Sequence, residues 1–411
     1  MVETEILLFH TLIELVPIIV AARIGGWLLG RLGQPQVVGE IAAGLLLGPT
    51  ALGRLAPAAS AYLFSDLTQP VFAVLGHLGL VLLMFLIGLE FDFGHVRRLR
   101  DAAIGVAIAG IVLPFAFGLA VAVLIRPAVA PDVAPVGFAL FLATALSITA
   151  IPILGRILLE FGLVRTPLGA LTLSAAAIDD VLGWTLLAAV SAIATGSFHA
   201  GDAVRTLAAT IAFVVVIVVL VRPVVVRWGA RAFTPQGAGL GLLPFSLLLT
   251  AAFACAAATH RIGIFSIFGS FVLGAALWDQ HALRDAVGSK LWDVVNAFFL
   301  PIFFTYTGLR TDVGGLDSLG EWGIFLLILV AAIGGKMLGT GLLARLGGLP
   351  RRESVCVAIL MNTRALMGLV VINVGHDLGL IPPDVFTMLV LMALVTTFMT
   401  SPLLRRFRPA E

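Results

Sequence analysis

Asp179 and Asp180 stand side by side within Leu171–Val190, LTLSAAAIDDVLGWTLLAAV, a stretch that is otherwise almost wholly apolar. Two adjacent carboxylates are expensive there, because burial disfavours a charge and like charges disfavour one another. Consecutive residues on a helix point about 100° apart, so one aspartate can face a cavity while the other faces a neighbouring helix. The same pair at a helix end would be ordinary. Here apolar residues extend on both sides far enough to place it near the middle of a membrane span, where an ionisable group is costly and by default functional. The chemistry such a pair suits is competition between a proton and a cation for one carboxylate.

The natural counter-charge is Lys336, one of only two lysines, in Leu329–Gly348, LVAAIGGKMLGTGLLARLGG. An ammonium loses its hydration on burial, and a carboxylate beside it offsets that loss. An Asp–Lys pair is then a switch, because a proton or cation gained by one member alters the other. Snorkelling to the interface is the alternative, but Lys336 lies nine residues before Arg345, roughly 14 Å of helix. Two further apolar stretches are interrupted. FLATALSITAIPILGR carries Thr144, Ser147 and Thr149 before Pro152, and VAILMNTRALMGLVV carries Asn362, Thr363 and Arg364. Proline removes a backbone donor and clashes with the preceding turn. Unwound backbone at membrane depth is tolerated where it lines a cavity, and its carbonyls and half-helix ends suit ions. Arg364 would offset carbonyl-rich helix ends or pair with an acid. A proline kink and a Ser/Thr packing face would account for either stretch alone; together they point to a site.

These residues need elements to hold them, and composition says of what kind. The chain of 411 residues is 60% hydrophobic and 12% charged, with a mean hydropathy of +1.11; a soluble chain carries about a quarter charged residues. The apolar content falls in blocks of the length that spans a bilayer, which predicts an all-α polytopic membrane protein. Reading between charged and Pro/Gly breaks gives thirteen helices, near 7–30, 36–53, 69–90, 102–125, 135–158, 167–195, 203–227, 241–260, 263–279, 289–309, 319–345, 353–375 and 383–404. Of the 25 basic residues, seventeen fall in one set of alternate loops and five in the other, while Arg23, Lys336 and Arg364 lie inside helices. That bias predicts the N-terminus outside and the C-terminus in the cytoplasm. The start, MVETEILLFH, is acidic and lacks a small-residue cleavage site, so it reads as the mature start. The two cysteines, Cys255 and Cys356, match no disulfide framework or zinc spacing. Gly-Leu-x-x-Asp recurs in FLIGLEFD (Phe85–Asp92) and TYTGLRTD (Thr305–Asp312). Seven helices separate the copies, an odd number, which suggests inverted repeats, a recurring transporter architecture. The only Gly-x-Gly-like run, GAGLGLLPF (Gly237–Phe245), precedes an apolar helix and is no dinucleotide fingerprint.

VVGEIAAGLLLGPTALG (Val37–Gly53), LGLVLLMFLIGLEFD (Leu78–Asp92), AAAIDDVLGW (Ala175–Trp184), the stretch around Lys336 and MNTRALMGLVVINVG (Met361–Gly375) together resemble the monovalent cation:proton antiporter-2 family. The resemblance runs from about Pro35 to Leu404. It implies a core domain with two crossed, broken helices, here those around Ser147–Pro152 and Asn362–Arg364, and a separate dimerisation domain relative to which the core moves as an elevator. It implies repeats at about 36–195 and 263–404, joined by linking helices at about 203–260, and a homodimer in the inner (plasma) membrane. Asp180 is similar to the family's carboxylate that binds a monovalent cation (sodium, lithium or potassium) or protons. Asp179 is similar to the neighbour that pairs with the core lysine, Lys336, and Thr144, Ser147, Thr149, Asn362, Thr363 and Arg364 line the broken helices. Members with this Asp-Asp-Lys set tend to be electrogenic, and MNTR occurs in potassium carriers too. Some relatives carry a cytoplasmic regulatory domain; ending at Glu411, this chain is expected to lack one. No cofactor and no nucleic-acid partner are expected beside the cation, the protons and the lipid bilayer.

The expected function is thus a secondary active sodium or potassium:proton antiporter, with a gated potassium efflux transporter of the Kef type as the alternative. The intact Asp-Asp and the expected lack of a regulatory domain argue against the latter. A membrane aspartyl protease would place its two aspartates on different helices and needs no membrane lysine, and a sensor would need a soluble output domain; neither reading, and no enzymatic activity, is favoured.

Overall fold

In the computed structural model, residues 2–65, 67–90, 100–149, 151–163, 166–194, 200–232, 240–264, 266–309 and 316–407 are described. Every regular element among them is helical. In chain order they are α1 (Val2–Arg31), α2 (Gln36–Leu47), the short α3 (Leu52–Leu55) and α4 (Pro57–Leu63), α5 (Gln69–Glu90), α6 (Arg100–Val129), α7 (Pro135–Ser147), α8 (Ile151–Glu160) and α9 (Pro167–Ala194). After them come α10 (Ala200–Val216), running through a π-turn into α11 (Arg222–Ala232), then α12 (Leu242–Ile262) and α13 (Ser266–Ala276). α14 (His281–Val294) runs through a second π-turn into α15 (Leu300–Leu309), and α16 (Leu319–Leu346), α17 (Arg351–Met361), α18 (Ala365–Asp377) and α19 (Pro383–Phe407) complete the chain.

Among the described residues, nine helices are long and apolar enough to cross a membrane. They fall on nine of the thirteen predicted stretches. The remaining four, 36–53, 135–158, 263–279 and 353–375, fold as shorter helices or pairs of half-helices. α2 stops at Leu47 because Pro49 follows Gly48, and proline cannot continue a helix. The stretches 135–158 and 353–375 are each split, into α7/α8 and α17/α18. In α8, Pro152 is the second residue, where a missing N–H breaks no intrahelical bond. The Gly-Leu-x-x-Asp motifs end outside the described residues, at 91–92 and 310–312, as does the start of Gly237–Phe245. Large apolar side chains such as Phe9, Leu12, Val16 and Val20 on α1 and Val218, Val219 and Leu220 in the first π-turn are exposed, as on a surface that meets lipid rather than water.

The chain divides into two compact units. One comprises Met1–Leu15, Asp66–Phe93 and Phe198–Phe303; within it α5 packs along α13, and α13 along α12. Its buried Glu14 accepts a hydrogen bond from Thr68 Oγ1 at 2.6 Å. The other comprises Val16–Ser65, Gly94–Ser197 and Phe304–Glu411 and contains every residue of the predicted site. Its centre is a slab in which α6 lies along both α16 and α7, with α17 on α16 and α9 against α6 and α7. Arg23 and Glu40 form an ion pair there at 3.3 Å.

The packing of α16 on α6 is as close as backbones allow. A Cβ at Gly335 would sit 2.7 Å from Pro114 Cα, and one at Gly339 would sit 2.5 Å from Ala109 O. Small residues permit such approaches in membranes, where dispersion and hydrogen bonding, not water exclusion, hold helices together. Lys336 lies between these two glycines. At its start α16 is fixed by a capping box: Ser318 Oγ accepts from Glu321 N at 3.1 Å while Ser318 N donates to Glu321 Oε2 at 2.9 Å. The 1.5 Å rise per residue puts Lys336 about 25 Å in from that end and about 15 Å from the other.

Candidate functional site

The break between α7 and α8 frees the last carbonyls of α7, which in an unbroken helix would accept bonds from the next turn. Two cations meet them. Lys336 Nζ donates to Ser147 O, to Gly110 O at 2.8 Å and to Asp179 Oδ2 at 2.8 Å. An ammonium has three donors, so this one is fully engaged. Arg364, the residue before α18, donates through Nη1 to Leu146 O and through Nη2 to Ala332 O at 2.7 Å. Both side chains are completely buried. Placing cations against a helix C-terminus also complements its dipole. Of the two roles expected of Arg364, it takes the first.

The second break is bound to the first. Thr149 Oγ1 donates to Met361 O, the last carbonyl of α17, at 3.0 Å, and Thr149 N donates to Asp179 Oδ2 at 3.0 Å. Asn362 N and Thr363 N close 3₁₀-type turns onto Ile359 O and Leu360 O at 3.3 and 3.2 Å, which tighten and end α17. No proline or glycine occupies this break. Its polar triplet is stabilised instead by partners: Thr363 Oγ1 donates to Leu360 O at 2.7 Å and lies 3.4 Å from Thr400 Oγ1, while Asn362 Nδ2 lies 3.7 Å from Met399 Sδ.

Asp179 and Asp180, near the middle of α9, are 0% and 1% exposed, yet their surroundings differ. Asp179 Oδ2 accepts from both Lys336 and Thr149. Among the described residues, neither oxygen of Asp180 has a hydrogen-bond partner, nor does Asn362 Oδ1; α9 packs against α17, which Asn362 caps. The expected hydroxyls are arranged differently. Those of Thr144 and Ser147 donate back along their own helix, to Leu140 O and Ala143 O, each at 2.7 Å. Ser147 reaches Lys336 through its main chain. The structure thus brings Asp179, Lys336, Ser147, Thr149 and Arg364 into one network, and Thr363 and Asn362 join it only along the backbone of the second break. Gly110, Leu146 and Ala332 enter as main-chain acceptors that sequence reasoning did not name. A main-chain carbonyl has no side-chain signature, and only the close α6–α16 packing around Gly335 and Gly339 could have pointed to Gly110.

Comparison with known proteins shows the family. The family model described as the sodium/hydrogen exchanger, transmembrane, matches residues 19–406. The chain is 39% identical over 405 residues to the Na⁺/H⁺ antiporter NhaS4 of Synechocystis sp., covering 97% of each. It is 35% identical over 401 residues to cation/H⁺ antiporter 18 of Arabidopsis thaliana, covering 97% of this chain but only 49% of the plant protein, so it spans about half the length of that relative. The solved structure of the sodium proton antiporter MjNhaP1 from Methanocaldococcus jannaschii superposes with a TM-score of 0.61 at 16% identity, covering 98% of this chain and 96% of that one, a likeness of fold. The chain belongs to the sodium/hydrogen exchanger family of transmembrane proteins.

Proposed function

We propose that the chain is a secondary active antiporter in which Asp180 binds either a monovalent cation, sodium or potassium, or protons, and that Asp179 and Lys336 form the switch beside it. The observation that carries this reading is the contrast between the two aspartates. Asp179 is held by an ammonium and a main-chain N–H, whereas among the described residues no donor claims either oxygen of the buried Asp180. A bare carboxylate sealed from water is too costly to persist, so a proton or a cation must complete it. That alternative is the exchange. The names of the relatives, Na⁺/H⁺ and cation/H⁺ antiporters, support the same chemistry.

The element order supports inverted repeats at about 36–195 and 263–404. α2, α5, α6, broken α7/α8 and α9 correspond in sequence to α13, α14–α15, α16, broken α17/α18 and α19, the fourth member of each set being the interrupted one. On this reading the site-bearing unit shifts across the bilayer as an elevator, in a homodimer, and the arginine bias puts the C-terminus in the cytoplasm of a cell whose inner membrane holds the protein. The test is a proteoliposome with a preset pH gradient read by an interior dye. Addition of sodium or potassium should collapse the gradient, with lithium included in the panel. A gradient indifferent to all three would overturn the proposal.

A further inference from the structure

Away from this site, the ends of α1, α8 and α19 border an open cavity of about 610 Å³, within the range of small-molecule sites. Its wall includes Trp27 and Arg31 on the last turns of α1, Gly33 and Gln34 in the turn that follows, Phe161 just beyond α8, and Arg405 in the last turn of α19. Among the described residues, no carboxylate lines it. The Arg31 guanidinium lies over the Trp27 ring, 3.9 Å from its centroid, and that of Arg405 lies 5.9 Å from the Phe161 centroid. Arg405 Nη2 donates to Gly33 O at 3.3 Å.

The turn is built to receive Arg405. Gly33 N donates to Gly30 O and Gln34 N to Leu29 O, each at 2.9 Å, a Schellman-type end that leaves Gly33 at φ +72°. A Cβ on Gly33 would run into the Arg405 guanidinium. Among the described residues neither arginine is within ion-pair distance of an acid, and each guanidinium has five donors, so most point to no protein acceptor. Gln34 lines the same cavity, is only 7% exposed, and its Oε1 has no hydrogen-bond partner.

Two guanidiniums held by stacking, with no acid paired to them among the described residues, suit a phosphate, and an unclaimed buried amide oxygen suits a hydroxyl. We propose that this cavity binds the headgroup of an anionic phospholipid of the phosphatidylglycerol type, its phosphodiester between Arg31 and Arg405 and a headgroup hydroxyl on Gln34. A free phosphate compound shares the phosphate chemistry. The lipid is favoured because the cavity opens at helix ends, where arginine and tryptophan mark the bilayer boundary, beside the exposed Ile24 and Leu28 of α1 and Leu32 just beyond it, which offer a path for an acyl chain.

Full-length protein, delipidated in detergent, tests this by native mass spectrometry with equimolar phosphatidylglycerol, phosphatidylcholine and phosphatidic acid. The wild type should retain phosphatidylglycerol about tenfold over phosphatidylcholine, and Arg31→Gln with Arg405→Gln should erase that preference. Gln34→Leu should equalise phosphatidylglycerol and phosphatidic acid, which has no headgroup hydroxyl. Should the double variant not fold, either arginine substitution alone should still lower the preference. A preference unchanged in these variants, or none in the wild type, overturns the proposal. Thermal stabilisation by inorganic phosphate or AMP but not by phosphatidylglycerol would overturn the lipid as ligand.

Discussion

Asp179 has one oxygen committed to an ammonium and a main-chain N–H, and Asp180 has neither oxygen committed to the protein. Substitutions at the two positions should therefore fail differently. Asp180→Asn removes no protein hydrogen bond, so the variant should express and melt like the wild type while cation:proton exchange in proteoliposomes falls to the level of empty vesicles, because an amide cannot trade a proton for a cation. Full exchange in Asp180→Asn would take the residue out of the mechanism. Lys336→Ala should instead be destabilising, since it strips Asp179 of its counter-charge; removing one member of a buried pair costs about 3–5 kcal/mol. Adding Asp179→Asn should restore part of the lost thermal stability. It cannot restore all, because Gly110 O and Ser147 O also lose their donor. A double variant no more stable than Lys336→Ala would show that the two side chains do not act as a pair. The carboxylates and the lysine were legible in the sequence because charge in an apolar run is rare and costly. What they bind to was less so: Gly110 O, Ser147 O, Leu146 O and Ala332 O, which surround Lys336 and Arg364, are all main-chain oxygens, and the hydroxyls of Thr144 and Ser147, which look like site groups in sequence, turn back onto their own helix.

The elements show why one break could be read from the chain more easily than the other. Pro152 announces the start of α8, whereas the break at Asn362–Arg364 has no helix-breaking residue, only polar side chains at membrane depth. It holds because Arg364 caps α7 across the gap and Thr149 caps α17 in return, each half-helix supplying what the other lacks. That exchange of caps needs Lys336 and Arg364 to arrive at the right depth, which depends on how closely α16 lies on α6. Gly339→Ala should therefore push α16 outward, since even a methyl group would meet Ala109 O at 2.5 Å. Overpacking of this kind costs about 1–3 kcal/mol, and exchange should slow with it as Lys336 is drawn from Asp179. Gly323→Ala on the same helix is the control: its Cβ meets no atom within 4 Å, and melting temperature and exchange should stay at or above wild-type values. Equal effects of the two substitutions would mean that glycine content, and not the α6–α16 approach, matters.

At the scale of the whole molecule, the question is how much charge crosses the membrane in a cycle. Two cations, Lys336 and Arg364, and two carboxylates, Asp179 and Asp180, are buried at the site. Arg364 is fixed by carbonyls of α7 and α16, so in the proposed elevator it would travel with the site and contribute equally in both directions. On the proposed mechanism the variable groups are Asp180 and the Asp179–Lys336 pair. If that pair stayed closed throughout, Asp180 alone would trade one proton for one cation and no net charge would move. If cation binding at Asp180 closes the pair and cation release opens it, the opened pair takes up a second proton, and two protons cross against one cation. The pair is closed at 2.8 Å through Asp179 Oδ2 and makes no hydrogen bond to Asp180, so the pair and Asp180 are two separate places for a proton. We therefore expect an electrogenic antiporter. In proteoliposomes whose potential is clamped by valinomycin, an imposed potential should accelerate exchange in one polarity and slow it in the other, with sodium as the transported cation because the clamp itself uses potassium. A rate indifferent to potential would establish one-for-one exchange with a permanently closed pair. Asp179→Asn combined with Lys336→Ala should then remove the dependence on potential in any exchange that remains, since a single titrating carboxylate is left to couple the two fluxes.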